Sequence, residues 1–315
     1  MSIDSILEAL DVRMEPFAIC ELHGSSTMDL GRRPFAVLHY VIAGSGCIVV
    51  GNAPRIDVQP GSVVLTPAFV PHRLHGSGLK GRPIPLCRPI DLGLDHHIAG
   101  NGGELSDNNA LVTICGHLEV SYRGLRGSLN VLRRPIVEHL AAGDRVRNAL
   151  DEFVYELSNP TVGTRALARS LMSQCVIQLL RRRHRAGDAA VTWMEGAADE
   201  TLWNALQAML DHPGRAHTVD TLAEACGMAR SSFAGRFAKV YGLGPIELLR
   251  SIRMQRAAEL LSRTGTPVKR VAELVGYQSR SYFSRAFEEE YGVAPSQFRS
   301  ATLHREQNRA GPVAR

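Results

Sequence analysis

Two groups of residues in this sequence could do chemistry. One is a set of soft ligands and nucleophiles in the first half, the other a set of guanidinium groups in the last third. His72 and His75 stand three apart, and six cysteines (Cys20, Cys47, Cys87, Cys115, Cys175, Cys226) are scattered with no C-x-x-C pair. Imidazole and thiolate suit zinc, so His72, His75 and a cysteine make one conceivable centre. The alternative is loop histidines finishing strand ends, and on that reading the chain carries no metal and no cofactor. A free cysteine is usually a small buried hydrophobe. Cys47, Cys175 and Cys226 sit in apolar patterns and are expected in cores. Cys20 and Cys115 have His23 and His117 close by, which would lower a thiol pKa. With Cys87 in a Pro-rich stretch, and with His72 and His75, they are the candidate reactive side chains of this half.

The guanidinium groups are not spread evenly. The chain of 315 residues has a formal net charge of +5. Residues 215–303 hold 11 Arg and 2 Lys against 8 Asp and Glu, so this block carries the whole excess and the remainder is neutral. A polyanion partner for the block is the expectation. No stretch approaches 18 consecutive apolar residues, so no membrane partner is expected. The acidic start Met1–Leu10 lacks the basic region of a secretory signal. With scattered cysteines this points to a cytoplasmic, reduced chain.

The elements that position these groups can be read from periodicity. Residues 222–245 repeat as 271–295, with Ala223/Ala272, Gly227/Gly276, Ser231/Ser281, Phe233/Phe283, Phe237/Phe287, Tyr241/Tyr291 and Pro245/Pro295 in register. In each copy an apolar face at i, i+3, i+4, i+7 (Val219, Leu222, Ala223, Cys226; then Val268, Val271, Ala272, Val275) predicts a short helix. Thr218 reads as its N-cap in the first copy, and Gly227 or Gly276 ends it. A second helix follows, anchored by two phenylalanines at i, i+4. That is a helix-turn-helix, made twice and joined by a helix that starts at Pro245.

Residues 215–300 resemble the AraC/XylS family of bacterial transcription regulators, most strongly in Val271–Arg299. The resemblance implies one monomer placing two helices in adjacent major grooves of promoter DNA. The positions it implies for DNA contact are Arg280, Ser281, Ser284 and Arg285 in the second copy, and Arg230, Ser231, Arg236 and Lys239 in the first. Arg285 matches the family's frequent arginine between the two anchors, which can take guanine edges or phosphates. The first copy departs from the pattern with Gly235 there. Arg236 follows about 100° further round, so either it substitutes from a shifted direction or the first helix reads few bases. Homodimerisation and contact with RNA polymerase come with the resemblance.

The N-terminal part alternates short apolar runs with glycine and proline. Phe35–Gly46 with Cys47–Val50 reads as a hairpin, Val58–Pro67 as a turn and strand, and Leu111–Cys115 and Leu118–Tyr122 as two more strands. A barrel or jelly roll is expected. Gly61-x5-Pro67-x-Phe69-x2-His72 resembles a cupin motif, with Phe69 where glycine is usual, and residues 5–135 resemble the cupin-type sensor found ahead of some AraC-like domains. Residues 76–109, with His96-His97, read as a long inserted loop. Stripes at Val146, Leu150, Val154, Leu157 and at Leu167, Leu171, Cys175, Leu179 predict two amphipathic helices. These resemble a dimerisation module, the alternative being packing on the barrel.

The expectation is therefore a multidomain α+β chain. A cupin-like sensor spans 1–135, a helical dimerisation and linker module 136–197, an all-α double helix-turn-helix 198–303, and a flexible tail 304–315. It is expected to be a sequence-specific activator of transcription, not an enzyme, governed by an oxidant or a small molecule. The rival is a cupin metalloenzyme with a helical appendage; its first cupin motif would offer only His39. A DNA-repair protein is opposed by the lack of clustered reactive cysteines.

Overall fold

The computed structural model describes residues 3–300 apart from 32–34, 69, 78–82, 85–95, 100–109, 123–131 and 133. The described chain falls into two compact units, Ser2–Met194 and a second beginning at Glu195.

The first unit opens with α1 (Ile3–Glu8) and contains eleven strands among the described residues. These are β1 (Leu10–Leu22), β2 (Thr27–Gly31), β3 (Ala36–Ala43), β4 (Gly46–Val50), β5 (Ile56–Val58), β6 (Ser62–Thr66), β7 (His72–Gly76), β8 (Pro83–Ile84), β9 (His96–Ala99), β10 (Leu111–Tyr122) and β11 (Ile136–His139). One sheet runs β11-β6-β3-β10-β1-β9 and the other β5-β4-β7-β2-β8. Their inner faces share one apolar core that includes Cys20, Met28, Val41, Ile48, Val64, Leu74 and Cys115.

β3 and β4 are not a hairpin. β3 pairs with β10 and β6, whereas β4 pairs with β5 and β7 in the opposite sheet. The glycines between them form a corner. Gly44 has φ +69°, and a Cβ there would stand 1.9 Å from the Ala110 carbonyl oxygen. Only glycine allows the chain to switch sheets so close to another backbone. The two strands expected at 111–115 and 118–122 are one continuous strand, β10, since Gly116 stays paired with both neighbours. Backbone strands at 83–84 and 96–99 lie within the stretch read as a loop.

Two helices follow, α2 (Arg145–Ser158) and α3 (Thr164–Arg185). Asp144 caps α2 by accepting from the Val146 amide at 2.8 Å. α3 packs on β1, and Tyr40 of β3 donates its hydroxyl hydrogen to Asp151 of α2, so the pair covers the outer face of the six-stranded sheet. The buried stripes differ slightly from expectation. Phe153 is buried in place of Val154, and α3 buries Ala168, Met172, Cys175, Val176, Leu179 and Leu180 while Leu167 is exposed.

Residues 186–198, at the end of the stretch expected to be a dimerisation and linker module, contain a 3-10 turn (Ala189–Val191) and α4 (Trp193–Ala198), with Val191, Trp193, Met194 and Ala197 buried. The division between the units falls inside α4. The second unit continues with α5 (Glu200–Asp211), α6 (Val219–Ala225), α7 (Arg230–Tyr241), α8 (Pro245–Arg263), α9 (Val268–Leu274) and α10 (Arg280–Tyr291). α8 buries Leu248, Leu249, Ile252, Met254, Ala257, Ala258 and Leu261, most of its circumference. It is the shared core of both helix pairs.

Candidate nucleic-acid interface and sensor core

The duplicated sequence becomes duplicated geometry. Thr218 caps α6 with a reciprocal hydrogen-bond box to Thr221. Gly227 (φ +60°) and Gly276 (φ +85°) make the two turns. Phe233–Phe237 and Phe283–Phe287 stack at 5.5 and 5.7 Å between ring centroids, and Phe237–Tyr241 and Phe287–Tyr291 at 4.5 and 4.4 Å. In each copy these rings bury one face of the second helix and leave the other outward.

On α10, Arg280, Ser281 and Arg285 are exposed and Ser284 is half-buried, a single face at i, i+1, i+4, i+5. Arg280 and Arg285 have no ion pair among the described residues. On α7 the equivalent face holds Arg230, Ser231 and Gly235, with Lys239 one turn on; all four are exposed. Its arginines are engaged. Arg230 Nη1 lies 2.9 Å from Asp220 Oδ2, and Arg236 Nη2 lies 2.6 Å from Asp199 Oδ2. Asp199 also caps α5 through the Thr201 and Leu202 amides. Arg236 therefore turns away from the Ser231 face, toward α5. In the second copy Lys269 stands where the first has Asp220, so the corresponding Arg280 meets no acid. The exposed Tyr282, stacked on Tyr277 at 5.7 Å, shares this outward surface. Neither Lys269 nor Tyr282 was picked out from sequence. The signal was available as the frame differences Asp220/Lys269 and Ser232/Tyr282.

In the first unit His72 and His75 do not form the conceivable zinc centre. His72 is buried, whereas His75 accompanies Thr27, its Nδ1 2.8 Å from Thr27 Oγ1. Three residues apart on β7, they face opposite sides of the sheet, so they cannot share one ion. Among the described residues no group of three or more His, Cys, Asp or Glu is arranged to hold a metal. His72 instead meets His39, ring centroids 4.9 Å apart and edge-on. His39 Nδ1 lies 3.0 Å from Cys115 Sγ, and Thr113 Oγ1 lies 3.3 Å from the same sulfur. Burial, then the His72 charge, holds the His39 imidazole well below its usual range, so it is neutral. Its Nε2 is buried with no hydrogen-bond partner among the described residues.

Cys20 is fully buried in the same core, and the register Cys20↔Thr113 and Ala18↔Cys115 sets the two cysteines diagonally on adjacent strands. Cys87 and Phe69 lie outside the described residues. Cys47 and Cys175 are buried, and burial pushes the Cys175 thiol up to about 12. Cys226 is half-buried, its thiol donating to the Thr201 carbonyl at 3.3 Å.

A double helix-turn-helix following a two-sheet, mostly antiparallel domain defines a class, the DNA-binding transcription regulator with a built-in sensor. The comparisons agree. The family described as "Cupin" matches residues 2–184, and that described as "Helix-turn-helix domain" matches residues 222–301. The chain belongs to the AraC/XylS family of transcription regulators, with an N-terminal cupin-type sensor domain. It is 26% identical over 305 residues to an uncharacterized HTH-type transcriptional regulator of Haemophilus influenzae, covering 95% of this chain and 98% of that one. It is 27% identical to the RCS-specific HTH-type transcriptional activator RclR of Escherichia coli, over 83% of each chain. ToxT from Vibrio cholerae shares the fold at 12% identity, with a TM-score of 0.50 over 92% of this chain and 98% of that one. The protein is a sequence-specific DNA-binding regulator and not an enzyme.

Proposed function

We propose that the protein is a cytoplasmic, homodimeric transcription activator that reads its promoter chiefly through α10 and takes its signal in the barrel core. The observation carrying the first part is the contrast between the two copies. Arg280 and Arg285 are exposed without acid partners, whereas Arg230 and Arg236 each face a carboxylate. A free guanidinium on the outward face of a recognition helix can take a guanine edge or a phosphate without first breaking a pair. Ser281 and Ser284 add hydroxyls on that face. Ser231 and Lys239 are the contacts left to α7, with Arg230 reaching DNA only by releasing Asp220. The helix pair α2 and α3 is the dimerisation surface by family resemblance, and RNA polymerase is the partner that activation requires.

For the signal, Cys115 beside neutral His39 is the best-supported receiver. As a thiolate, Cys115 would attack hydrogen peroxide: the O–O bond breaks, the leaving hydroxide takes up the proton the thiol lost, and sulfenic acid and water are the products, with His39 Nδ1 placed 3.0 Å from the sulfur to hydrogen-bond it. A sulfenic acid is larger and more polar than a thiol, so it would disturb the packed core around Cys20, Leu111 and Val64. The relative named RCS-specific favours an oxidant over an inert small molecule.

Binding to the DNA upstream of its own coding sequence tests both parts. Arg285→Ala and Arg280→Ala should each weaken binding by about 1–3 kcal/mol. Undiminished affinity and preference in both would remove α10 as the reader. Cys115→Ser should abolish the change in promoter affinity on peroxide treatment. A full response from the Cys20→Ser, Cys115→Ser double variant would remove the thiol mechanism.

A further inference from the structure

α3 is unusual in charge. Of its 22 residues six are arginine (Arg165, Arg169, Arg181, Arg182, Arg183, Arg185) and none is acidic. Two of them are held by acids of the same unit. Arg182 Nη2 lies 2.7 Å from Asp144 Oδ2, and Arg183 lies 2.8 Å from Glu138 Oε1 and 3.2 Å from Asp188 Oδ2. Next to them, α2 and α3 enclose a groove of about 550 Å³ lined by Arg145, Arg181, Arg182 and Arg185, with Gln174 and Ile177. Arg145, Arg181 and Arg185 are exposed and make no ion pair among the described residues.

A cation at the C-terminal end of α3 complements that helix's dipole, which accounts for Arg181 and Arg185 taken singly. It does not account for Arg145. That residue is the first of α2, where the dipole is positive and an acid is the favoured occupant. There it faces three further guanidinium groups. Arg182 is held by Asp144 and Glu138, but Arg145, Arg181 and Arg185 leave three uncompensated like charges around one concavity, which repel one another, and more strongly as water is displaced. Their common complement is an anion with several charged oxygens. Guanidinium forks take phosphate oxygens in pairs. Gln174 supplies a carboxamide and Ile177 an apolar wall, and the volume lies in the ordinary range for a small-molecule site.

We propose that this α2–α3 groove binds a small molecule carrying a di- or triphosphate group, a ligand site separate from both the DNA-reading helices and the thiol core. Titration calorimetry of the full chain with inorganic pyrophosphate tests it, against sodium sulfate at matched ionic strength. One site per chain is expected. The Arg181→Gln, Arg185→Gln double variant should weaken binding at least tenfold, and Arg145→Gln several-fold. The Arg165→Gln, Arg169→Gln double variant removes the same charge from the other end of α3 and should bind as the parent does. All these side chains are exposed, and circular dichroism checks that each variant is folded. Three results would overturn the proposal: no binding beyond that of sulfate, equal loss in both double variants, or loss of promoter affinity by the Arg181/Arg185 variant without pyrophosphate. The last would make the groove a DNA surface.

Discussion

Arg236 and Arg285 stand at neighbouring positions of one duplicated frame and meet opposite surroundings. Arg236 is half exposed, at 56% of its side chain, and rests on a carboxylate that is itself only 17% exposed. Asp199 is thus satisfied from two directions, by the first amides of α5 and by a guanidinium. Asp199→Ala should cost about 1 kcal/mol or more, because it removes a helix cap as well as an ion pair. Arg236→Ala should cost well under 1 kcal/mol, since the pair is screened on the arginine side. Neither should alter which bases are preferred. Denaturant unfolding beside a binding-site selection checks both, and a changed base preference for Arg236→Ala would return that residue to the reading surface. His39 gives a second prediction at this scale. Its imidazole is buried and its pKa depressed, so the folded chain resists taking a proton that the unfolded chain accepts near pH 6.5. Stability from this group is complete above that value. It falls as the pH drops below it, by up to about 1.4 kcal/mol per unit, until the folded pKa is reached. Thermal unfolding between pH 7 and 5 should show a steeper decline for the parent than for His39→Gln. Parallel declines would show that His39 does not carry the dependence.

Among the elements, α7 is weaker than its twin by construction. Gly235 sits mid-helix, and a Cβ there would meet nothing within 4 Å. Gly235→Ala should therefore stabilise the chain by about 0.5–1 kcal/mol through helix propensity alone. A rise in melting temperature checks this, and a fall would mean that the position needs its bare backbone. The helical half was legible in the sequence because a repeated frame states the same geometry twice. Gly227 and Gly276, the paired phenylalanines and the Thr218 cap all sit where their spacing puts them. The β half was less legible for a physical reason. An apolar run reports burial and says nothing of which strand lies alongside. Glycines between two such runs suit a hairpin and a corner equally, so the 44–46 turn was misread, and only the pairings of β3 and β4 distinguish the two. The sensor core was hidden in the same way. His39, His72 and Cys115 are 33 and 43 residues apart in sequence, and only the β10–β3 register brings two of them to 3.0 Å. The stretch 186–198 is short of periodicity and so suggests no packed element. It packs through Trp193, Met194 and Ala197 instead.

For the molecule as a whole, the net charge of +5 understates how unevenly cations are available to DNA. In the second unit Arg250, Arg256 and Arg270 are paired with Glu289, Glu259 and Glu273, as Arg230 and Arg236 are with their aspartates. Arg253 and Arg299 donate to backbone carbonyls. Arg215, Lys239, Arg263, Lys269, Arg280 and Arg285 remain exposed and without ion pairs among the described residues. Each phosphate neutralised on duplex DNA contributes about −0.9 to the slope of log K against log salt. Six free cations among the described residues of this unit therefore bound its share of that slope at about −5.4 per monomer bound. The paired arginines should add little, because meeting a phosphate means giving up a carboxylate. Measured by fluorescence anisotropy over a salt series, Arg280→Ala and Lys269→Ala should each lower the magnitude of the slope by about 1 if they meet phosphates. Arg236→Ala should leave it unchanged, and Arg285→Ala should relax base preference instead if its contact is a guanine edge. A slope well beyond this bound, reduced equally by Arg230→Ala and Arg236→Ala, would mean that the first recognition helix sheds its carboxylate partners on DNA. The two copies would then bind alike.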